Sequence, residues 1–141
     1  MTAVDETLTI EVCNVPDAIA PAAEKAEAWL KSFRPSKEAV YLILLAIEEL
    51  VTNCIKYGYD DAGKHTIVIR LAVNDQFVTI TVIDDGRAFN PLALAPPDFS
   101  KAIADRPIGG LGIFMLRSLA DTMDYERRDH RNQLTLTKRL S

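Results

Sequence analysis

A long run of closely spaced apolar residues between Ser36 and Tyr57 is the feature of this sequence that most limits its fold. The apolar side chains are too dense for a helix that lies on the surface, so they predict a central helix. Gly58 follows at once and is typical of the position after a helix end, where a left-handed backbone is favoured. With 141 residues, 48% of them hydrophobic, the chain is sufficient for one core, and we expect a single domain over residues 1–141.

Two polar residues, Glu49 and Asn53, interrupt the apolar face of this helix near its end. Their spacing places a carboxylate and an amide one above the other on a single face. A partly exposed pair satisfied by water or backbone groups would explain them. So would a metal bound to phosphate, because Mg²⁺ takes hard oxygen ligands such as an Asn carbonyl. Spacing alone favours the first interpretation, and two later segments favour the second.

Periodicity along the chain predicts five strands and three helices. The strands are expected at about 7–13, 65–73, 77–84, 123–128 and 133–139, and the helices at about 17–33, 36–57 and 111–120. Asp17 is expected to be the N-cap of the first helix, and residues 129–132 to join the last two strands. This order predicts an α/β two-layer sandwich whose mostly antiparallel sheet is covered by helices on one face.

The strand expected at about 77–84 ends on a carboxylate that faces the core. Asp84 shares its parity with Val78, Ile80 and Val82, so its side chain points between the sheet and the helices. A buried carboxylate needs hydrogen-bond donors, and an adenine amino group would be one. An Asp-Gly turn with no ligand explains the same residues equally well when they are taken alone.

A long connection and a glycine-rich helix start follow. Residues 86–110 are rich in Gly and Pro and too long for an ordinary loop, which is typical of a lid or binding segment. Glycines 109, 110 and 112 precede or open a helix, where free N–H groups and the positive helix end suit phosphate oxygens. Lys101 and Arg106 could reach those phosphates, although exposed lid charges would explain them too. The P-loop pattern is absent, and the dinucleotide fingerprint fails at its third glycine.

Charge and cysteine content exclude several classes of protein. A net charge of −4 argues against nucleic acid as the main partner. Cys13 and Cys54 lie in unrelated segments, which favours neither a disulfide framework nor a zinc site. No run of about 18 apolar residues and no secretory leader is recognisable, so we expect a cytoplasmic protein without a membrane partner.

Taken together, the three segments resemble the motifs of one family. Residues 49–53 resemble the N-box of the GHKL ATPases, residues 84–91 their first glycine box and residues 109–113 their second. The order and spacing are similar to those of the Bergerat fold over nearly the whole chain. Within this family, the chain most resembles the stand-alone anti-sigma factor serine kinases of the RsbW and SpoIIAB type. Ala88 and Asn90 depart from the glycine and aspartate found in many members.

The resemblance implies a role for each motif residue. Asn53 would coordinate Mg²⁺, Asp84 would bind the adenine amine, and Glu49 would be the general base for a serine hydroxyl of a partner protein. The remaining implied ATP-binding residues are Gly86, Gly110, Leu111, Gly112 and Ile113, with a nucleotide lid at about 87–108.

The function implied by the resemblance is that of an ATP-dependent protein serine kinase and anti-sigma factor-like switch in transcription regulation. It would phosphorylate a STAS-type antagonist and sequester a sigma factor or other effector, and homodimerisation is implied by the resemblance alone. One alternative is a non-catalytic ATP-binding module for partner switching. Another is a detached histidine kinase catalytic domain, which would need a phosphoacceptor histidine on a helix, whereas His65 and His130 fall at or beside expected strands.

Overall fold

The apolar run of the sequence forms the central helix of the molecule, as predicted. The computed structural model describes residues 5–94, residue 100 and residues 110–141. The central helix, α2, spans Lys37–Tyr57, and its N-cap Ser36 accepts a hydrogen bond from the backbone N–H of Ala39 at 3.0 Å. The buried face of α2 consists of Ala39, Leu42, Ile43, Ala46, Ile47, Leu50 and Val51.

The first helix, α1, spans Ile19–Lys31 and begins later than expected. The prediction that Asp17 is its N-cap is wrong, because Asp17 lies in a 3-10 turn and Ala18 holds the N-cap position without a side-chain hydrogen bond. Pro21 explains the shift. Proline has no N–H, so it is tolerated in the first turn of a helix but would remove a hydrogen bond further inside.

Five strands form one sheet in the order β1-β2-β3-β5-β4. Every pairing between the described strands is antiparallel, so the sheet expected to be mostly antiparallel is entirely so over this part of the chain. The strands are β1 Glu6–Cys13, β2 Thr66–Val73, β3 Phe77–Asp84, β4 Thr122–Arg128 and β5 Arg131–Arg139.

The helices and the sheet form two layers around one core. α2 packs on β2, β3 and β5, while α1 packs on β1 and α2, and α3, Gly110–Leu119, packs on α2. Alternate residues of β2 and β3 are buried on the helix side of the sheet. The expected two-layer α/β sandwich is therefore confirmed. Among the residues that the structure describes, no helix is long and apolar enough to span a membrane.

The hairpin between β4 and β5 is tighter than the sequence suggested. Only Asp129 and His130 form the turn, with φ values of 52° and 62°, as a two-residue hairpin loop with a type I′ backbone requires. The expected connection over residues 129–132 is therefore wrong, and Asn132 belongs to β5. In the sheet register Asn132 lies directly opposite Asp84.

Candidate functional site

The end of α2 and the end of β3 meet through two glycines. The backbone N–H of Arg87 donates to the carbonyl oxygen of Gly58 at 2.9 Å. A Cβ at Gly86 would lie 2.7 Å from that same oxygen, so only glycine permits this approach. Gly58 ends α2 as predicted, but its φ of −79° shows that it is not the expected left-handed residue. A Cβ at Gly58 would lie 2.6 Å from the carbonyl oxygen of Cys54, so close packing, not backbone handedness, favours glycine there.

α3 joins the same region through Gly112 and Glu49. A Cβ at Gly112 would overlap the Glu49 carboxylate, so the first turn of α3 lies directly on that side chain. The three motifs of the sequence therefore converge, as one site requires. Gly110 begins α3, and the first N–H groups of a helix have no acceptor within the helix.

A pocket opens between α2, the end of β3 and the segment that follows Gly86. Asn53 and Asp84 both line it, and so do side chains of β4 and β5. Its other walls are mainly apolar, as a planar ring requires on its two faces. The lining residues from α2, from the residue that ends it and from the segment after Gly86 are Leu50, Cys54, Tyr57, Gly58, Arg87, Phe89 and Pro91.

Asp84 is buried, as the strand parity predicted, with only 7% of its surface exposed. Its Oδ1 accepts hydrogen bonds from the backbone N–H of Gly86 at 2.9 Å and from Asn132 Nδ2 at 3.0 Å. Among the described residues, its Oδ2 accepts only from the weak thiol donor of Cys54, at 3.3 Å. One oxygen is thus held by the protein, and the other has capacity for a stronger donor in the pocket.

Asn132 is a site residue that the sequence analysis missed. It is 6% exposed, and its Nδ2 donates to Asp84 and to the carbonyl oxygen of Arg87, the latter at 2.7 Å. Its Oδ1 accepts from the backbone N–H of Phe89 at 3.2 Å and from the hydroxyl of Tyr125. One amide therefore fixes both the carboxylate and the first residues after the glycine box.

Asn53 carries a polar group without a partner. Its Nδ2 is buried, and no hydrogen-bond acceptor in the described structure reaches it. An unpaired buried amide is unfavourable by about 1–3 kcal/mol, so such a group points to a missing ligand. The two ends of an amide are nearly indistinguishable by shape, so either a ligand oxygen at the N–H or a cation at the flipped carbonyl would satisfy it.

The Glu49 carboxyl is half-buried between α2 and α3. Burial raises its pKa above the usual 4.5, the neighbouring Glu48 raises the pKa further, and Lys56 opposes both. A carboxyl group with a raised pKa accepts a proton more readily than an ordinary glutamate does. This property suits the predicted general base.

A second cluster, which the sequence analysis also missed, supports the first glycine box from outside. His65 stacks on Tyr59 with ring centroids 4.1 Å apart, and its ring nitrogens contact Asp61 at 2.9 Å and Asp85 at 3.3 Å. Hydrogen bonding to these two carboxylates raises the pKa of His65 above 6.5. The cluster ties the loop after α2 to the residue that follows Asp84.

This cluster gives the protein a predicted pH dependence. The pKa of His65 is higher in the folded chain, so its stabilising effect is complete below pH 6.5 and is lost as the pH rises through the raised pKa. His65→Asn should therefore flatten the fall in Tm between about pH 6 and pH 8 at low salt. His130→Asn, in the exposed β4–β5 turn, is the matched control and should keep the wild-type profile. Identical profiles for both variants would contradict the assignment.

The two cysteines are predicted to differ in reactivity. Burial and the charge of Asp84 raise the pKa of Cys54, whereas Cys13 is exposed. Because the thiolate is the reactive form, iodoacetamide at pH 8 should add one group to the folded protein, at Cys13. Mass spectrometry of Cys13→Ser should show no adduct until urea is added. Rapid labelling of folded Cys13→Ser would contradict the hydrogen bond to Asp84.

The remaining predicted residues fall into three groups. The side chain of Ile113 is buried in the core, so it could contact a nucleotide only through its backbone. Leu111 is 43% exposed on α3. Lys101, Arg106 and Gly109 lie outside the described residues, as does most of the lid expected at 87–108.

The sheet topology, the glycine contacts and the pocket define a nucleotide-binding domain of known type. The histidine kinase-like ATPase domain family matches residues 13–138, and the chain belongs to this family. The resemblance to GHKL proteins is thereby confirmed. Both histidines of the chain lie outside its helices, so within this chain the histidine kinase alternative lacks the phosphoacceptor that it requires.

Three proteins of known name are similar in sequence to this chain. It is 26% identical to the serine/threonine-protein kinase BtrW of Bordetella bronchiseptica over 122 residues, which cover 84% of this chain and 86% of BtrW. It is 33% identical to the serine-protein kinase RsbW of Halalkalibacterium halodurans over 100 residues, or 68% of this chain and 60% of RsbW. An anti-sigma F factor of Clostridium beijerinckii is 24% identical over 129 residues, covering 86% of this chain and 85% of the factor.

A solved structure shows the same fold. The crystal structure of the RsbU and RsbW domains of a Mycobacterium tuberculosis protein superposes with a TM-score of 0.68 and 23% identity, over 96% of this chain. This chain spans 32% of that longer chain. The relatives carry the names of serine kinases and anti-sigma factors, the group that the sequence motifs indicated.

Proposed function

We propose that this chain is an ATP-dependent protein serine kinase that also acts as a partner switch. The observation that carries the proposal is the convergence of Asn53, Asp84 and Glu49. Asn53 and Asp84 line one pocket, and Glu49 lies one helical turn before Asn53, against the first turn of α3. We further propose that the described elements and the lid at about 87–108 act as one domain.

In this proposal the pocket binds the adenine of ATP. The free capacity of Asp84 Oδ2 matches the adenine amine, and the apolar walls match the ring faces. The phosphates would then lie toward Gly110 and Gly112 at the start of α3, where the helix dipole favours negative charge. Leu111 and Ile113 would contribute backbone N–H groups only.

The residues present fit a magnesium ion. The described part of the chain contains no cluster of three His, Cys, Asp or Glu side chains that could hold a metal by itself. Mg²⁺ does not need one, because it binds readily through one or two protein oxygens together with phosphates and water. The amide oxygen of Asn53 would hold it, once a flip of the amide places that oxygen where the unpaired Nδ2 lies. When bound, the ion would neutralise phosphate charge during transfer.

Glu49 would act on the serine of the acceptor protein. As the serine oxygen forms its bond to the γ-phosphorus, the bond from that phosphorus to the bridging oxygen breaks and ADP leaves. The serine proton passes to the Glu49 carboxylate, whose raised pKa favours its acceptance. Positioning of the two reactants supplies the rest of the rate enhancement.

The biological partners follow from the relatives' names and remain part of the proposal. The acceptor would be a STAS-type antagonist, and the sequestered partner a sigma factor or another effector, in the cytoplasm. A phosphate adds a charge of about −2 at neutral pH, which is sufficient to separate a packed interface. Phosphorylation would thereby decide which partner stays bound.

The test is incubation of the purified chain with labelled ATP, Mg²⁺ and each STAS-domain protein of the same genome. We expect label on a serine of one of them, and Asn53→Ala should abolish Mg²⁺-dependent ATP binding in calorimetry while the Tm is retained. Binding of ATP with no transfer to any STAS protein would instead support the non-catalytic module.

A further inference from the structure

The side-chain amide of Asn132 uses its complete hydrogen-bonding capacity within the protein. Its Nδ2 donates to Asp84 Oδ1 at 3.0 Å and to the carbonyl oxygen of Arg87 at 2.7 Å. Its Oδ1 accepts from the backbone N–H of Phe89 at 3.2 Å and from the Tyr125 hydroxyl. A primary amide has two donor hydrogens and two acceptor lone pairs. Asn132 therefore lines the pocket but has no free polar group with which to bind a nucleotide.

Two backbone groups fix the orientation of this amide. The N–H of Phe89 can only donate and the carbonyl oxygen of Arg87 can only accept, so the oxygen of Asn132 faces the first and its nitrogen faces the second. The nitrogen then has one further hydrogen, which is directed at Asp84. Because Asn132 is buried, these bonds are shielded from water. The amide thus presents a donor of fixed position to the carboxylate.

This donor determines how the carboxylate of Asp84 is held. Together with the N–H of Gly86, 2.9 Å away, the amide binds Oδ1, while the thiol of Cys54, a residue that lines the pocket, contacts Oδ2. The carboxylate cannot rotate about its Cβ–Cγ bond without breaking both hydrogen bonds to Oδ1. Asp84 is therefore held with Oδ2 as the acceptor that an amine in the pocket would meet.

The same amide also holds one wall of the pocket. Arg87 and Phe89 flank residue 88, and Asn132 bonds to the carbonyl oxygen of one and the N–H of the other, as backbone groups of a neighbouring strand would. The sheet register places Asn132 directly opposite Asp84. One side chain thus fixes both the carboxylate and the backbone of Phe89, whose side chain lines the pocket.

We propose that Asn132 is a positioning residue for base selection, which holds Asp84 so that Oδ2 accepts a hydrogen bond from the exocyclic amine of adenine. The inference rests on the proposed binding of ATP in this pocket. It assigns the preference for a 6-aminopurine to a pair of residues instead of to Asp84 alone. Because Asn132 acts through Asp84, its loss should weaken recognition of the amine more than recognition of the purine ring.

The experiment compares two ligands that differ only in the amine. ATP and purine riboside 5′-triphosphate, which lacks the 6-amino group, are titrated with Mg²⁺ into the purified chain in a calorimeter. The wild-type chain should prefer ATP by about 10-fold or more, as expected for a hydrogen bond to a charged acceptor. Asn132→Leu keeps a similar volume but frees Asp84 to turn, so this ratio of Kd values should fall to about 3-fold or less.

Two further variants separate positioning from folding. Asn132→Ala leaves room for water at the freed polar groups, so it gives the same test if the leucine variant does not fold, and the same fall in the ratio is expected. The matched control, Gln133→Leu, makes the amide-to-leucine change on the opposite side of β5 and should keep the wild-type ratio.

The possible outcomes distinguish this proposal from the one on which it rests. If the Asn132 variants bound both nucleotides more weakly by the same factor, with the ratio unchanged, the role of Asn132 would be structural and the positioning proposal alone would be overturned. Equal affinities of the wild-type chain for the two ligands would overturn both this proposal and the assignment of the amine to Asp84. A wild-type chain that bound neither nucleotide would overturn the proposed function itself.

Discussion

Glu49→Gln is expected to stop serine phosphorylation almost completely while ATP remains bound. The amide has nearly the same shape as the carboxylate but cannot accept the serine proton, so kcat should fall by about 10²- to 10⁴-fold. The contact between residue 49 and Gly112 would persist. Single-turnover transfer of labelled phosphate and calorimetry with ATP measure the two effects separately.

The same variant should also be slightly more stable than the wild type. Because burial raises the pKa of Glu49 in the folded chain, its charged form destabilises the fold as the pH rises through that pKa. Removal of the charge should therefore raise the Tm at neutral pH. Glu24→Gln, on the exposed side of α1, is the control for the charge change. Wild-type transfer by Glu49→Gln would show that Glu49 is not the base.

Asp84→Asn is expected to weaken ATP binding by about 10- to 100-fold with a much smaller effect on the Tm. The amide oxygen can replace Oδ1, so the hydrogen bonds from Gly86 and Asn132 are preserved, and within the protein only the weak bond from the Cys54 thiol to Oδ2 is lost. The amide nitrogen then replaces Oδ2 and directs a donor at the adenine amine, which is also a donor. The substitution therefore changes a hydrogen-bond acceptor into a donor only on the side of the group that faces the ligand.

The neighbouring carboxylate provides the matched comparison. Asp85→Asn makes the same chemical change one residue later, where the side chain contacts His65 outside the pocket. Its Kd for ATP should stay close to that of the wild type. If Asp84→Asn lowered the free energy of unfolding and the free energy of ATP binding equally, the role of Asp84 would be structural, not ligand binding.

The elements that position the site were largely predictable because their signals are local. The apolar density before Tyr57 identified α2, and the alternation along residues 77–84 both placed β3 and showed that Asp84 faces the core. The start of α1 was less predictable, since Asp17 satisfies the usual capping pattern. Only the position of Pro21 indicates the later start.

Asn132 was missed for a different physical reason. In the sequence it follows Asp129, His130 and Arg131, and four polar residues between two strands are typical of a turn. The structure closes the turn with two residues in left-handed conformations, which brings Asn132 into β5 opposite Asp84. Sequence periodicity fixes which side of a strand a residue faces, but the partner across the sheet depends on turn geometry.

The contact between Gly58 and Gly86 has a consequence for how the family can diverge. Because the two motifs are joined by a hydrogen bond between main-chain atoms, this link does not depend on the identity of the side chains that line the pocket. Substitutions of those side chains can then change the preference for a nucleotide, or the rate at which ADP is exchanged for ATP, without separating the two segments. At about a quarter sequence identity, inheritance of such a link would leave relatives free to differ in turnover while sharing one architecture.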